Sequence, residues 1–371
     1  MPLADTLNEA RRVMEVCNAC RYCEGYCAVF PAMTQRRGFA DADLEYLANL
    51  CHHCGACYYA CQYAPPHEFG VNVPRAMADL RADTYEKYAW PQGLGGVFRR
   101  NGVLVSLALI LALALAFALA AAFISPETLF TAHRGADAFY AVVPHAAMVG
   151  AAGGIGLLAL LALGLGALRY RRATAPAGRG AQRAPRLRQA LADTLSLRYL
   201  GGGGDGCNDR GEAYSNTRRW LHQSMLYGFA LCFAATCVAT LYDYAFGRPA
   251  PYPVFSLPVV LGTLGGIGLL IGSAGLFALK FIADPAPAMR RMLGMDIAFL
   301  ALLFLTALSG LLLLALRATP AMGTLLVLHL GIVLALFATL PYGKFVHAVY
   351  RFAALLQYAG ERADGPNSNG D

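Results

Sequence analysis

The sequence predicts an all-α protein in which a helical ferredoxin domain with two clusters precedes a six-helix transmembrane bundle resembling those of b-type cytochromes. Three observations predict this fold. Eight cysteines near the start of the chain fall into two identical runs, six later stretches are long and apolar, and four histidines lie on these stretches or at their edges. We expect a head at residues 1–98, a membrane domain at 99–358 and a disordered polar tail at 359–371.

The two cysteine runs share the spacing C-x2-C-x2-C-x3-C, with 23 residues between them. Structural zinc is satisfied by four ligands, commonly in two short pairs, whereas each run offers three closely spaced thiolates and a fourth further on. In two-cluster ferredoxins the fourth cysteine of each run binds the other cluster. We therefore expect two [4Fe-4S] clusters, with zinc or a disulfide framework as the alternatives. The expected ligands are Cys17, Cys20, Cys23 and Cys61 for the first cluster and Cys51, Cys54, Cys57 and Cys27 for the second.

Helical patterns flank the cysteine runs. Asp5 is suited to cap one helix, Asp41 or Asp43 a second, and Pro74 suits the first turn of a third helix. Apolar residues at three- and four-residue spacing follow these positions, as amphipathic helices require. The head is therefore expected to be helical rather than β-rich.

Six stretches after residue 100 are long enough to cross a bilayer, which needs ~20 apolar residues in a helix. The whole chain is 57% apolar and only 14% charged, which favours an integral membrane protein over a soluble globule. The predicted spans are residues 102–124, 139–168, 222–246, 254–282, 295–316 and 322–346. Glycines at three- and four-residue spacing in the fourth span predict close helix packing there.

Charge placement predicts the orientation. The segment 169–219 carries eleven arginines against four acids, whereas the loops on the opposite side contain only Arg134, Arg248 and Arg317 as basic residues. By the positive-inside rule, this segment and both termini are cytoplasmic, in the inner membrane of a bacterium. No secretory signal is recognisable at the N-terminus, and thiolates in a reducing compartment bind metal more often than they form disulfides.

The net charge of +7 belongs to the membrane loops, because the first hundred residues hold ten basic and eleven acidic side chains. A basic face for nucleic acid is therefore absent from the head, and we expect no nucleic-acid partner. The lipid bilayer is the expected surrounding of the rest of the chain.

Histidines within membrane spans are functional candidates, because ionisable side chains are costly there. The predicted orientation matches His222 with His347 near the cytoplasmic side, the inner pair, and His145 with His329 near the opposite side, the outer pair. Two histidines at one depth can ligate a b haem between helices, so we expect one or two haems. The alternative to haem ligation is that such a histidine simply lies at the membrane interface and binds no cofactor. His329 and His347 are 18 residues apart, which is five turns of one helix unless Pro341 kinks it.

Two further features have open roles. The glycine-rich stretch from Gly201 to Cys207 lacks the Lys-Ser/Thr of a phosphate loop, and contact with the head or a partner is the favoured explanation. Asp296 starts the fifth span, where it could relay a proton or interact with the helix dipole.

Taken together, these features resemble the tricarballylate-utilisation protein B family, also called citrate-utilisation protein B. The resemblance covers nearly the whole chain. It rests on the paired cysteine runs, the six-span region, and the glycine-rich stretch that leads to Arg218, Arg219, Trp220, Leu221 and His222. Family members often have a second histidine after this one, whereas Gln223 stands here and cannot be such a ligand.

The resemblance implies a membrane protein that re-oxidises the reduced flavin of a separate soluble dehydrogenase acting on tricarballylate. Electrons would pass through iron–sulfur clusters and haem to the membrane, with the ligands already named. Because the chain lacks a flavin-binding Gly-x-Gly-x-x-Gly at a strand-to-helix turn, it is expected to be the electron-transfer subunit of a quinone-reducing respiratory oxidoreductase, not the dehydrogenase. The alternatives are a membrane subunit of a heterodisulfide- or nitrate-reductase-like complex, and a redox-sensing membrane anchor or transporter.

Overall fold

The computed structural model describes residues 3–175 and 183–363 of the chain. Helices form nearly all of its regular structure, and the all-α prediction is confirmed. The helices are α1 (Leu3–Cys20), α2 (Val29–Thr34), α3 (Asp41–Leu50), α4 (Ala56–Tyr59), α5 (Val73–Tyr88), α6 (Asn101–Phe123), α7 (Pro126–Phe130), α8 (Ala138–Val142), α9 (His145–Thr174), α10 (Arg183–Leu195), α11 (Thr217–Phe246), α12 (Leu257–Ile282), α13 (Leu293–Leu316), α14 (Met322–Thr339) and α15 (Val346–Ala363). Short 3-10 segments occupy Gln92–Arg100, Arg198–Gly204, Arg290–Met292 and Leu340–Tyr342.

A single small hairpin interrupts the helical order of the described residues. Strands β1 (Cys207–Arg210) and β2 (Ala213–Ser215) pair antiparallel between α10 and α11. The sequence analysis did not predict it, because strands of four and three residues are too short to show an alternating pattern.

Six helices are long and apolar enough to cross a membrane, as predicted, and the chain is a multi-pass membrane protein. They are α6, α9, α11, α12, α13 and α14. Large apolar side chains such as Leu111, Leu158 and Phe233 point outward from this bundle. An outward apolar surface is what lipid requires, since a helix already satisfies its own backbone hydrogen bonds.

The close packing predicted for the fourth span is confirmed between α11 and α12. A Cβ atom added at Gly265 would lie 2.7 Å from the backbone nitrogen of Cys232, and one at Gly272 would lie 2.5 Å from that of Met225. Any larger residue would therefore push the two helices apart. Small residues allow this approach, which gains van der Waals contact where lipid supplies no hydrophobic driving force.

Several span boundaries differ from the prediction by a few residues, and at two of them a proline explains the difference. The second span begins at His145, because Pro144 separates α9 from the short helix α8. The sixth span ends at Tyr342, in a turn that contains Pro341 and is followed by extended backbone at Gly343. Proline lacks the N–H that a continuing helix needs. The expectation that one helix carries both His329 and His347 is therefore wrong, and α15 is a separate helix.

Helix α15 packs into the head instead of ending at the membrane. Its residues Ala354, Leu355 and Tyr358 belong to the same buried core as the apolar residues of α1, α3 and α5. Near its end, Glu361 accepts hydrogen bonds from Arg36 at 2.8 Å and from Tyr46 at 2.9 Å. The predicted disordered tail therefore does not begin at residue 359, and residues 364–371 lie outside the described residues.

Candidate functional site

The first set of four cysteines surrounds a cavity of about 270 Å³. Cys17 and Cys20 lie on the last turn of α1, and the chain then turns at Arg21, whose φ of 57° is left-handed. Cys23 follows in this turn, and Cys61 reaches the same cavity from beyond α4. The structure thus brings together the four cysteines predicted for the first cluster.

The second set of four lines a neighbouring cavity. Cys51 caps the end of α3, Cys57 is part of α4, and Cys54 lies in the loop between them. Cys27 joins them from the first run. Phe30 contacts both cavities and so lies between the two sets. Cys57 lines both cavities, while the other seven cysteines lie as the crossed assignment requires. Ligation itself stays a prediction.

The donor chemistry of the two sets fits iron–sulfur clusters. All eleven cysteines are unbonded to one another, and within the described ranges no three His, Cys, Asp or Glu side chains converge on a point where one metal ion would bind. A zinc ion needs such convergence, since its thiolates lie at ~2.3 Å. Burial and neighbouring thiolates raise the pKa of Cys17 and of Cys23 to about 12. Iron must therefore displace protons when it binds, as thiolate ligation generally requires.

The glycine-rich stretch covers the second set of cysteines. Gly202 has a φ of +50°, and a Cβ atom there would lie 3.1 Å from the Cβ of Ala56. The backbone N–H of Asn208 donates to the carbonyl of Cys54 at 2.9 Å. A Cβ at Gly55 would lie 2.7 Å from the carbonyl oxygen of Asn208, so these two backbone segments are too close for a side chain at position 55. The contact with the head that the sequence favoured is therefore present.

The inner pair is brought together. The imidazole rings of His222 and His347 have centroids 6.1 Å apart and planes at 83°. Nδ1–H of His347 donates to the carbonyl of Lys344, which fixes this tautomer and leaves the lone pair of Nε2 available to donate to a metal. Burial, followed by the positive charge of Arg351, holds the pKa of His347 well below its usual value. The imidazole is consequently neutral, as metal ligation requires.

A hydrogen bond links the helix that carries His347 to the second set of cysteines. Arg351 lies one helical turn beyond His347, and its Nη2 donates to the carbonyl of Cys51 at 2.9 Å. Arg81 donates to the same carbonyl through Nη1 at 2.7 Å. The sequence analysis missed both arginines. The four-residue spacing from His347 was the available signal for Arg351, but only the folded chain reveals its partner.

The outer pair is not brought together by any contact between described residues. Nε2 of His145 lies 3.0 Å from Oδ2 of Asp243. His329 bonds through Nδ1 to the hydroxyl of Ser309 at 2.9 Å, and the absence of a side chain at Gly310 leaves room for its ring. His329 thus has a free Nε2, whereas His145 uses that atom for Asp243.

Asp296 forms a cluster of ions beside the inner pair. It pairs with Lys280 of α12 and, at 2.6 Å, with Lys344 of the α14–α15 connection. The carbonyl of this same Lys344 accepts the hydrogen bond from His347. The sequence left two roles open for Asp296, a proton relay and an interaction with the helix dipole. In the structure its carboxylate forms ion pairs with two lysines.

The fold and the two cavities define the class: a multi-pass membrane protein with a ferredoxin-like, cysteine-rich head. The chain belongs to the citrate utilization protein B family. Residues 98–367 match the family described as citrate utilization protein B, and residues 10–87 match the citrate utilization protein B Fer4-like domain. Citrate utilization protein B of Escherichia coli is 51% identical over 358 residues, which are 96% of this chain and 93% of that protein. No solved structure matches the chain.

Proposed function

We propose that the protein is a membrane-anchored electron-transfer protein. It re-oxidises the reduced flavin of a soluble, tricarballylate dehydrogenase-like partner and delivers the electrons to quinone in the inner membrane through two [4Fe-4S] clusters and b haem. Both termini are cytoplasmic in this proposal, so that the head meets the soluble partner. The clusters and the haem supply one-electron carriers when bound. The residues of the chain hold these groups in order, and control access to them.

One observation carries the proposal: Arg351 joins the backbone of the second set of cysteines to the helix that carries His347. The guanidinium contacts the backbone of Cys51, and its own helix carries His347 one turn earlier. A head that only sensed redox state would need no such short connection to histidines at the membrane. The second set is therefore the proposed exit of the head.

The first set is the proposed entry, because it is the more accessible one. All four cysteines of the first set are partly exposed, whereas in the second set only Cys27 is, and Cys51, Cys54 and Cys57 are buried. Tyr22, at the rim of the first cavity, is 69% exposed. A partner's flavin can approach this cavity, while the glycine-rich stretch covers part of the second. Electrons would therefore enter at the first set and leave from the second.

The inner pair fits a haem with two imidazole ligands. Two metal–imidazole bonds of ~2 Å each would put ring centroids roughly 6 Å apart, close to the 6.1 Å observed. Packed aromatic rings also adopt such distances, so a spectrum has to decide. His222 and His347 would hold this haem. At a second haem, His329 suits ligation better than His145, which would have to release Asp243.

Measurement of iron, acid-labile sulfide and pyridine haemochrome in the purified protein tests the proposal. We expect about eight iron and eight sulfide atoms in the clusters, from two [4Fe-4S] groups, and a b-type haem spectrum on reduction with dithionite. Replacement His347→Ala should abolish the inner haem signal and leave the sulfide content unchanged. A wild-type protein with clusters but no b-type α-band would refute the haem and favour the redox-sensing alternative.

Reduction by the partner tests the direction of electron flow. Mixing the protein with a flavin-dependent tricarballylate dehydrogenase and its substrate should reduce the clusters, and an added quinone analogue should re-oxidise them. Substrate without the dehydrogenase is the control, since the chain itself should not oxidise the acid. Reduction by substrate alone would contradict the proposal.

A further inference from the structure

Two buried arginines converge on the backbone of one cysteine. The carbonyl of Cys51 accepts hydrogen bonds from Arg81 at 2.7 Å and from Arg351 at 2.9 Å. Arg81 also donates to the carbonyl of Ala48 at 3.2 Å. Nε of Arg351 is buried and has no hydrogen-bond partner among the described residues. Two cations thus share one neutral acceptor at the edge of the second cavity.

These cations lack an anionic partner in the part of the chain that the structure describes. Neither Arg81 nor Arg351 forms an ion pair with a carboxylate there. Both guanidinium groups carry a positive charge at neutral pH, since arginine is not deprotonated in proteins. Burying a charge without a partner is strongly unfavourable. The arrangement therefore calls for a nearby anion that the side chains of the described residues do not supply.

The second set of cysteines can supply this anion once a cluster is bound. Four thiolates make a [4Fe-4S] centre anionic overall, and reduction adds one more negative charge. Arg218 also lies beside this set, since its Nη1 donates to the carbonyl of His53 at 2.8 Å, but its charge is balanced by an ion pair with Asp209. Arg81 and Arg351 are therefore positive charges beside the second cavity that no carboxylate of the described residues balances.

We propose that Arg81 and Arg351 are the counter-charges of the reduced second cluster and give it a higher reduction potential than the first. This inference rests on the proposed function, since it assumes that both clusters are bound. A nearby cation stabilises the reduced state, so the electron is drawn from the accessible first cluster to the second. At an effective dielectric constant of ~20 and a separation of ~10 Å, one charge changes such an equilibrium roughly tenfold.

Redox titration of the purified protein, monitored by electron paramagnetic resonance, tests the inference. The variant Cys20→Ser removes a ligand of the first set alone and so identifies the signal of the second cluster. Arg351→Gln should lower the midpoint potential of the second cluster by about 59 mV, a tenfold change for one electron, and leave the first unchanged. Arg351→Lys should retain most of the potential, because it keeps the charge. Arg169→Gln is the control, since Arg169 also donates to a backbone carbonyl, that of Ala89, on another part of the fold.

The outcomes distinguish a failure of this inference from a failure of the proposed function. An unchanged midpoint in Arg351→Gln with full iron and sulfide content, or equal shifts in both clusters, would overturn the inference. Should Arg351→Gln fail to retain the second cluster, Arg81→Gln provides the same test from the other side of the carbonyl. Wild-type protein without iron and sulfide would contradict the proposed function instead.

Discussion

Replacing Glu361 by glutamine is expected to destabilise the attachment of α15 to the head. Glu361 is 3% exposed, pairs with Arg36 at 2.8 Å and accepts a hydrogen bond from Tyr46. Removing one partner of a buried ion pair costs ~3–5 kcal/mol. Arg36 keeps its second ion pair with Asp43 at 2.7 Å, so the expected loss is about 3 kcal/mol, at the lower end of that range.

Thermal denaturation in detergent, followed by intrinsic fluorescence, measures this loss. At ~4 °C per kcal/mol for a domain of this size, the midpoint of the head should fall by roughly 12 °C. The matched control is Glu9→Gln, because Glu9 pairs with Arg12 at 2.8 Å on the surface, where both side chains are exposed. Such exposed pairs contribute at most ~1 kcal/mol. Equal midpoints for the two variants would refute the claim that α15 is held by a buried ion pair.

Three other predictions concern the cavities and the helix packing. Cys61→Ser should remove the signal of the first cluster and Cys27→Ser that of the second, as seen by electron paramagnetic resonance; the reverse result would show that each run binds its own cluster. Gly272→Val should lower the free energy of unfolding by about 1–3 kcal/mol through overpacking, because its Cβ would meet the backbone of α11. Gly153→Val is the control, since position 153 has open space around it. Equal denaturation midpoints for the two variants would contradict the close packing of α11 and α12. Removing iron with a chelator should lower the denaturation midpoint of the head, because metal binding adds to the stability of the folded state. Without metal, the buried thiols, whose pKa values are raised, would surround empty cavities. An unchanged midpoint would show that the stability of the head does not depend on metal.

Ionic contacts of the α14–α15 connection illustrate how the site depends on distant parts of the chain. Lys344 pairs with Asp296 of α13, and its carbonyl receives the hydrogen bond of His347. The orientation of this histidine is thus fixed by a carboxylate on another helix. The group that accepts a hydrogen bond from the other ring nitrogen commonly sets the tautomer of a metal-binding imidazole.

Local features of the sequence were sufficient for the element types and for the cysteine sets. Six spans are recognisable because lipid demands a long apolar helix wherever the chain crosses the membrane. The cysteine spacing is likewise a local property, and the folded chain places the eight residues around two neighbouring cavities, with Cys57 bordering both. The prolines at 144 and 341 were visible too, but their effect on His145 and on the helix of His347 depended on how the ends of the helices pack.

The sequence by itself determined a helical, membrane-spanning protein with two cysteine sets, because hydropathy and ligand spacing act over short stretches of chain. Only the tertiary structure decided that the inner histidines meet, that the glycine-rich stretch covers the second cavity, and that α15 returns to the head. Arg351 and Cys51 are 300 residues apart in the chain and share a hydrogen bond. Contacts over such distances depend on the packing of whole helices, which no local pattern encodes.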